Sequence, residues 1–270
     1  MKNLKIWKNT SALDDYSEGL IFTDEKDVAD IILLGSKSVE INQFPNVKRI
    51  FRVGVGKENI PFKECNNRNI AIDFPSEESK NILFEETSNY TVSLVLRMCY
   101  VSPDINLPWK KNPRSSLEKK TALIIGTGNI GSRVKNKLDQ LMEVISYDIM
   151  ENEVKELEPL IKKADILTLH IPNIPENNNF LDARKLSWMK QGSIIVNTAR
   201  ANLVNEEALY QSISKGKIKA AFDVFWDEPY DGKLTKFYPD SFYMSPHIAS
   251  SSKDFFLGCR DDLDKIIQEL

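Results

Sequence analysis

Apolar runs alternate with helix-like stretches along most of the 270 residues, and this alternation most constrains the fold. Between residues 121 and 245, six strand-like runs are separated by segments whose apolar residues recur at helical spacing. Five shorter strand-like runs precede residue 75, and a long helix-like stretch follows at 78–101. Strands that alternate with helices form parallel sheets with right-handed crossovers. The sequence therefore predicts an α/β fold built on parallel sheets.

The length and one linker-like segment predict two domains. A chain of 270 residues is comfortable for two domains of about 100–200 residues each. The stretch at 102–116 is rich in proline and polar residues and is typical of a crossing between domains. The amphipathic segment at 253–270 could return to the first domain. We predict a first domain of residues 1–99 and 249–270, and a second domain of residues 100–248.

Composition excludes several classes of function. The formal net charge of −3 gives no general attraction to nucleic acid or to an anionic membrane. No segment reaches the ~18–20 apolar residues of a membrane span, and the N-terminus lacks the apolar core of a secretory signal. Cys65, Cys99 and Cys259 lie far apart and match neither a zinc site nor a disulfide framework. We therefore expect a cytoplasmic protein without a metal, a nucleic-acid partner or a membrane partner.

A glycine loop carries the first chemical signal. Gly126, Gly128 and Gly131 have G-x-G-x-x-G spacing between a strand-like run and a helix-like run. Such glycines allow the backbone to approach a pyrophosphate at the N-terminus of a helix. Asp148 ends the next strand, 17 residues after Gly131, where a carboxylate can bind ribose hydroxyls or cap the next helix. No lysine or arginine follows it at once, which favours NAD over NADP.

Polar residues follow three later strands. Arg200, Asp223, Glu228 and His247 stand near the points where strands stop, and ligands of open parallel sheets bind beyond those ends. His247 could be a packed residue, a metal ligand or an acid–base catalyst. The metal interpretation is weak because His170 is the only other histidine.

The motifs GTGNIG, SYD, LHIP, NTAR, FDVFWDEP and SPHIAS, in this order, resemble the D-isomer-specific 2-hydroxyacid dehydrogenases. That family includes phosphoglycerate dehydrogenase, glyoxylate/hydroxypyruvate reductase and glycerate dehydrogenase. The resemblance covers residues 48–268. It implies a Rossmann-type doubly wound parallel-sheet domain for NAD and a smaller flavodoxin-like α/β substrate domain, trimmed before residue 48. It also implies a homodimer formed through the nucleotide-binding domains near residues 100–115.

The resemblance further implies hydride transfer between a nicotinamide cofactor and a small 2-keto or 2-hydroxy acid. Arg200, Glu228 and His247 would be the catalytic residues. The chemistry agrees independently, because an arginine fork binds a carboxylate and a histidine can donate a proton near neutral pH. A neighbouring glutamate fixes the tautomer of the imidazole. The alternative is an NAD(H)-sensing, corepressor-like protein with little turnover.

The remaining contacts are also implied by the resemblance. Cofactor contacts are expected at Gly126, Gly128, Asn129, Ile130, Gly131, Asp148, His170, Pro172, Thr198, Ala199, Asp223 and Val55. Substrate contacts are expected at Arg52, Gly54, Val55, Lys37 and Arg200. Asp223 would accept a hydrogen bond from the nicotinamide carboxamide, or it could only cap a turn.

Two positions leave alternatives open, and two others depart from residues usual in the family. Lys37 could bind a substrate phosphate or be a solvated surface lysine. Gly35 stands where some phosphoglycerate dehydrogenases have arginine, so a phosphate site would be incomplete, and Ala201 replaces the usual glycine after Arg200. Trp226 could belong to the core or to the substrate pocket.

Overall fold

The computed structural model describes residues 3–100 and 113–270. These residues form two compact units, Met1–Leu83 with Ser251–Leu270, and Phe84–Ser250. The dividing point lies within one long helix, α2 (Glu77–Cys99). Most of the expected crossing at 102–116 lies outside the described residues, so the domain boundaries at 99 and 248 stay a prediction.

The first unit contains a five-stranded parallel sheet in the order β2-β1-β3-β4-β5. Its strands are β1 (Lys5–Lys8), β2 (Ile21–Phe22), β3 (Ile31–Leu34), β4 (Arg49–Arg52) and β5 (Ala71–Asp73). All five confirm the strand-like runs predicted before residue 75. The connections before β4 contain short 3-10 turns at Asp14–Tyr16, Lys26–Val28 and Ile41–Gln43. The short helix α1 (Phe62–Asn67) was not predicted.

The C-terminal helix α7 (Lys253–Glu269) belongs to the first unit. Asp262 on α7 accepts hydrogen bonds from the Ser76 backbone N–H at 2.8 Å and the Ser79 hydroxyl at 2.9 Å. Burial alone would raise the pKa of Asp262, but these hydrogen bonds hold it below its ordinary value. The carboxylate therefore satisfies the N-terminal end of α2 and joins the two helices.

The second unit contains a six-stranded parallel sheet in the order β11-β10-β9-β8-β6-β7. Its strands are β6 (Thr121–Ile125), β7 (Glu143–Tyr147), β8 (Ile166–Leu169), β9 (Ser193–Asn197), β10 (Ile218–Phe222) and β11 (Phe242–Met244). Its helices besides α2 are α3 (Asn129–Leu138), α4 (Leu157–Lys163), α5 (Ala183–Trp188) and α6 (Glu206–Ser214). These elements confirm the predicted Rossmann-type α/β architecture.

Helices cover both faces of this sheet. Leu94 of α2 and Val134 of α3 pack with Ile124 and Val196 on one face. Residues of α4, α5 and α6, such as Ile161, pack on the other face. Because both faces are buried, the central strands are continuous apolar runs, which made them recognisable in the sequence.

The register of the sheet aligns the ends of its strands. Phe222 pairs with both Met244 and Asn197, and Leu169 pairs with both Asn197 and Ile125, which pairs with Tyr147. The last residues of all six strands thus form one row across the sheet. The residue that follows each strand therefore enters the same edge, beyond the carboxyl ends.

In the described ranges 3–100 and 113–270, no helix combines the length and apolar character needed to cross a bilayer.

Asp262→Ala is expected to lower the free energy of unfolding by about 1–3 kcal/mol, because it removes the acceptor of the Ser76 N–H and of the buried Ser79 hydroxyl. The pKa of Asp262 is depressed in the folded chain, so this contribution is present at neutral pH and is lost as the pH falls through that pKa. Urea titrations at neutral and acidic pH measure it. Asp264→Ala is the control, since Asp264 makes only an i,i+4 pair with Arg260 worth about 0.5 kcal/mol. Equal losses in the two variants would contradict the anchoring role.

Candidate active site

The glycine loop connects β6 to α3. At Gly126 (φ +90°) a Cβ would lie 2.8 Å from the carbonyl oxygen of His170, and at Gly131 it would lie 1.9 Å from that of Gly126. These two glycines are required by the packing of the loop itself. At Gly128, the N-cap of α3, no atom of the described residues lies within 4 Å of the position that a Cβ would occupy. The space beside the helix N-terminus is therefore open to an anionic group, and the loop fits a dinucleotide pyrophosphate.

Asn129 and Ile130 form the first turn of α3. The Asn129 carbonyl accepts a hydrogen bond from Arg133 at 2.5 Å, and the Ile130 side chain packs on the core of the second unit. Their backbone N–H groups lie at the helix N-terminus, where an anion is favoured.

Asp148 follows β7 and fixes the glycine loop. One of its oxygens accepts from the backbone N–H of Thr127 at 2.8 Å and from its hydroxyl at 3.0 Å, and the other accepts from the Met150 N–H at 3.0 Å. The backbone hydrogen bonds of Thr127 and Met150 lower the pKa of Asp148, so it is a carboxylate at neutral pH. A charged carboxylate at this place favours a free ribose diol over a 2′-phosphate.

Four other predicted cofactor residues follow β8 and β9. The His170 ring is 3.1 Å from the Thr168 hydroxyl, and burial lowers the pKa of His170 to about 3, so it is neutral. Exposed Pro172 continues the same edge. The Thr198 hydroxyl hydrogen-bonds with that of Thr91 at 2.7 Å.

Arg200 is held by a buried asparagine that the sequence analysis missed. Asn197 is fully buried; its amide donates to the Arg200 carbonyl at 2.9 Å and accepts from the Ala199 N–H at 3.0 Å. The backbone on both sides of the arginine is therefore fixed to the end of β9. The Arg200 guanidinium donates to the Ala199 carbonyl at 2.7 Å.

His247 and Glu228 form an ion-pair geometry within the second unit. His247 Nδ1 lies 3.0 and 3.1 Å from the two carboxylate oxygens of Glu228, and the Phe225 N–H also donates to that carboxylate at 3.1 Å. Burial alone would raise the pKa of Glu228, but His247, Phe225 and the charge of Arg200 lower it below its ordinary value. The pairing at Nδ1 fixes the tautomer and leaves Nε2 for proton exchange. The structure thus brings Glu228 and His247 into direct contact, and Arg200 lies near enough for its charge to lower the pKa of Glu228.

Asp223 accepts hydrogen bonds from a turn of the chain, the role that the sequence analysis gave as the alternative to a cofactor contact. It is fully buried after β10 and accepts from the Ser245 hydroxyl at 2.6 Å, the Ile248 N–H at 3.0 Å and the Ala249 N–H at 2.8 Å. These donors flank His247, whose φ of +54° is an unfavourable conformation for a residue with a Cβ. Asp223 therefore holds the histidine loop in its strained shape. Its contact with a nicotinamide carboxamide stays a prediction.

The Trp226 side chain packs against the core of the second unit. Its indole N–H donates to the Val204 carbonyl at 3.1 Å, and its ring stacks on Phe222 with centroids 5.8 Å apart. This contact fixes the end of the loop that begins at Arg200. Ala201, in that loop, is buried in a 3-10 turn.

The predicted substrate residues of the first unit lie around the end of β4. Arg52 is only 5% exposed, and its guanidinium donates to the carbonyls of Val53, of Gly56 at 3.2 Å and of Leu34 at 3.4 Å. Gly54 (φ +132°) lies directly against it, since a Cβ there would be 2.9 Å from Arg52 Nη1. Arg52 therefore packs against the loop that contains Gly54 and Gly56 and holds its backbone by hydrogen bonds. Its contact with a substrate stays a prediction.

Lys37, Val55 and Gly35 complete that region. Lys37 is exposed and Val55 is half-buried. At Gly35 a Cβ would lie 2.7 Å from Cβ of Thr10, so a larger residue would require a shift of the neighbouring chain.

Among the residues that the structure describes, no group of three or more His, Cys, Asp and Glu side chains is arranged to hold a metal ion.

Comparisons with known proteins agree with this geometry. The family described as "D-isomer specific 2-hydroxyacid dehydrogenase, NAD binding domain" matches residues 105–249. The hydroxypyruvate reductase of Thermotoga maritima is 30% identical over 239 residues, which cover 83% of this chain and 78% of that protein. The chain belongs to the D-isomer-specific 2-hydroxyacid dehydrogenase family. NAD is the cofactor of this family's nucleotide-binding domain.

Other members of the family are longer or more distant. The D-3-phosphoglycerate dehydrogenase of Archaeoglobus fulgidus is 30% identical over 229 residues, and the matched part spans 77% of this chain but only 42% of that protein. The D-lactate dehydrogenase structure from Aquifex aeolicus, with NAD and lactic acid, superposes with a TM-score of 0.80 at 23% identity. It covers 98% of this chain and 94% of that one, and it shows the shared fold.

The residues that sequence reasoning missed are those that support the catalytic set: Asn197, Ser245 and the backbone N–H of Phe225. Asn197 had a detectable signal, because an asparagine at the end of a strand often hydrogen-bonds the backbone two residues on. Ser245 and Phe225 had none, since their contacts depend on the paths of two separate loops.

Asp223→Asn is expected to loosen the histidine loop. The amide has the shape of the carboxylate but only one acceptor oxygen, so at least one of the Ile248 and Ala249 N–H groups loses its partner. We expect faster deuterium uptake in peptides that contain residues 245–250, and a loss of unfolding free energy of about 1–3 kcal/mol. Hydrogen-exchange mass spectrometry measures the uptake. Asp240→Asn, at an exposed position, is the control; unchanged uptake at 245–250 in Asp223→Asn would contradict the clamp.

Proposed function

We propose that this chain is an NAD-dependent oxidoreductase that interconverts a 2-keto acid and the corresponding D-2-hydroxy acid. The hydrogen bond between His247 Nδ1 and Glu228, with Arg200 beside it, carries the proposal. All three residues follow strands of the sheet whose β6 end forms the dinucleotide loop. An acid–base group and a carboxylate anchor are what this reaction needs besides a hydride donor.

The residues have separate roles in the reduction. When bound, NADH supplies the hydride that reaches C2 of the keto acid. Arg200 binds the substrate carboxylate through its planar fork of N–H donors. His247 donates a proton from Nε2 to the keto oxygen as that oxygen gains charge. Glu228 holds the imidazole at Nδ1 and balances its positive charge. In the oxidative direction His247 takes the proton from the hydroxyl group.

Cofactor binding is assigned to the loop from Gly126 to Gly131 and to Asp148. The open space at Gly128 would receive the pyrophosphate, and Asp148 would bind the adenosine ribose. The Asp148 carboxylate repels a 2′-phosphate, which supports NAD as the physiological cofactor. Neutral His170 adds no charge there.

Features of the first unit support a substrate without a phosphate group. Arg52 is buried, and its guanidinium N–H groups donate to backbone carbonyls of the protein. Thr10 fills the space that an arginine at position 35 would need. Of the basic residues expected to bind phosphate, only Lys37 is exposed. Among the family's activities this favours reduction of a keto acid without a phosphate group over oxidation of phosphoglycerate.

The family also suggests a homodimer, and the three free cysteines agree with a reducing cytoplasm. The expected dimer contact near residues 100–115 falls largely on 101–112, outside the described residues.

His247→Gln is expected to leave the dissociation constant of NADH within about twofold and to lower kcat/KM for keto-acid reduction by about 10²–10⁴. The reason is that glutamine can occupy the space of the imidazole but cannot deliver its proton. Steady-state assays with NADH and a panel of 2-keto acids, together with NADH titrations, measure both quantities.

Arg200→Lys extends the same experiment, since lysine keeps the charge but loses the bidentate fork, and we expect KM to rise at least about tenfold. Arg184→Lys, at an exposed position of α5, is its matched control. Full activity in His247→Gln would contradict the assignment of the proton donor. Saturable NADH binding by the unaltered protein, with no turnover of any keto acid, would favour the NAD(H)-sensing alternative.

A further inference from the structure

A cavity of about 520 Å³ lies in the second unit against the His247–Glu228 pair. Both residues form part of its wall. The volume is in the range of small-molecule sites, about 300–1,000 Å³. The carboxylate anchor and the cofactor site do not account for this space, because Arg200 and the dinucleotide loop are not among its described lining residues.

The wall of the cavity is mainly aromatic and aliphatic. Phe225, Tyr230, Tyr238 and Met244 line it, together with two prolines. Phe225 and Tyr230 stack with their centroids 5.1 Å apart, which gives one side a fixed aromatic surface. Such a surface binds flat or branched apolar groups through burial and ring contacts.

The polar groups of the wall are largely engaged with the protein. The Tyr230 hydroxyl donates to Glu206 at 2.7 Å, and the Ser245 hydroxyl donates to Asp223 at 2.6 Å. Glu228 accepts from His247 and from the backbone of Phe225. No lysine or arginine occurs among the described residues that line the cavity. A phosphate or carboxylate in it would face Glu228 without a balancing charge.

We propose that this cavity receives the C3 substituent of the substrate, and that the preferred substrates are 2-keto acids with a bulky apolar or aromatic substituent, such as arylpyruvates. This inference rests on the proposed function. A substrate whose keto oxygen bonds to His247 Nε2 carries C3 only two bonds from that oxygen. Because His247 also lines the cavity, a ring attached at C3 is within reach of the cavity wall.

Steady-state reduction of phenylpyruvate and glyoxylate by the full chain with NADH tests the proposal. We expect kcat/KM for phenylpyruvate to exceed that for glyoxylate at least about tenfold, because glyoxylate has no substituent to place in the cavity. Tyr238→Ala removes one aromatic wall at a side chain that is 49% exposed, so the fold tolerates the change. It should lower the phenylpyruvate-to-glyoxylate ratio by about threefold to tenfold.

Tyr100→Ala is the matched control, since Tyr100 is a 44% exposed tyrosine of the same unit that does not line the cavity. The phenylpyruvate-to-glyoxylate ratio of kcat/KM in Tyr100→Ala should equal that of the unaltered protein. A ratio below one in the unaltered protein, or equal ratios in the two variants, overturns the cavity assignment while reduction of glyoxylate still supports the proposed function.

Saturation-transfer difference NMR with 3-phenyllactate and NAD covers the case in which neither acid turns over, which would contradict the proposed function itself. Ring-proton signals that weaken in Tyr238→Ala and persist in Tyr100→Ala support the cavity as the binding site. Absent ring signals, or equal signals in both variants, overturn it.

Discussion

The parallel register of the six-stranded sheet is the constraint on which the site depends. It places the last residues of six strands in one row, so every following loop begins at the same edge. The glycine loop, Asp148, Arg200 and His247 are far apart in sequence, and this row brings their loops to one side of the sheet. Burial of both sheet faces fixes the register, because a slip by one residue would exchange the side chains of the two faces and disrupt their packing against the helices.

The aligned strand ends bring the loops close together, but hydrogen bonds to buried side chains fix the backbone conformation of each loop. Asn197 holds the backbone around Arg200, and Asp223 holds the backbone around His247. Both are fully buried, where an unmet hydrogen bond costs most, so each strongly favours one loop shape. A strained His247 is stable only because these contacts over-determine its position. The backbone around Arg200 and His247 is therefore held by buried side chains at the strand ends.

The strands could be predicted from the sequence, but the contacts that hold the site residues in place could not. Buried parallel strands are continuous apolar runs, so each strand in the described residues matched a predicted run. Helix α1 was missed because its six residues show no apolar period. The hydrogen bonds of Arg52 to the carbonyls around its own loop were not anticipated, and its contact with a substrate stays a prediction. Motif spacing identifies which residues stand near a site, whereas their partners depend on loop paths that only the three-dimensional structure fixes.

We assign His247, Glu228 and Arg200 to hydride transfer to the C2 carbon of a 2-keto acid. The most direct measurement uses NADH that carries deuterium at C4 of the nicotinamide, in stereospecifically labelled form, with NMR and chiral chromatography of the product. We predict a D-2-hydroxy acid with deuterium at C2 from one of the two labelled isomers and none from the other. A product without deuterium from either isomer, or one of L configuration, would contradict this claim.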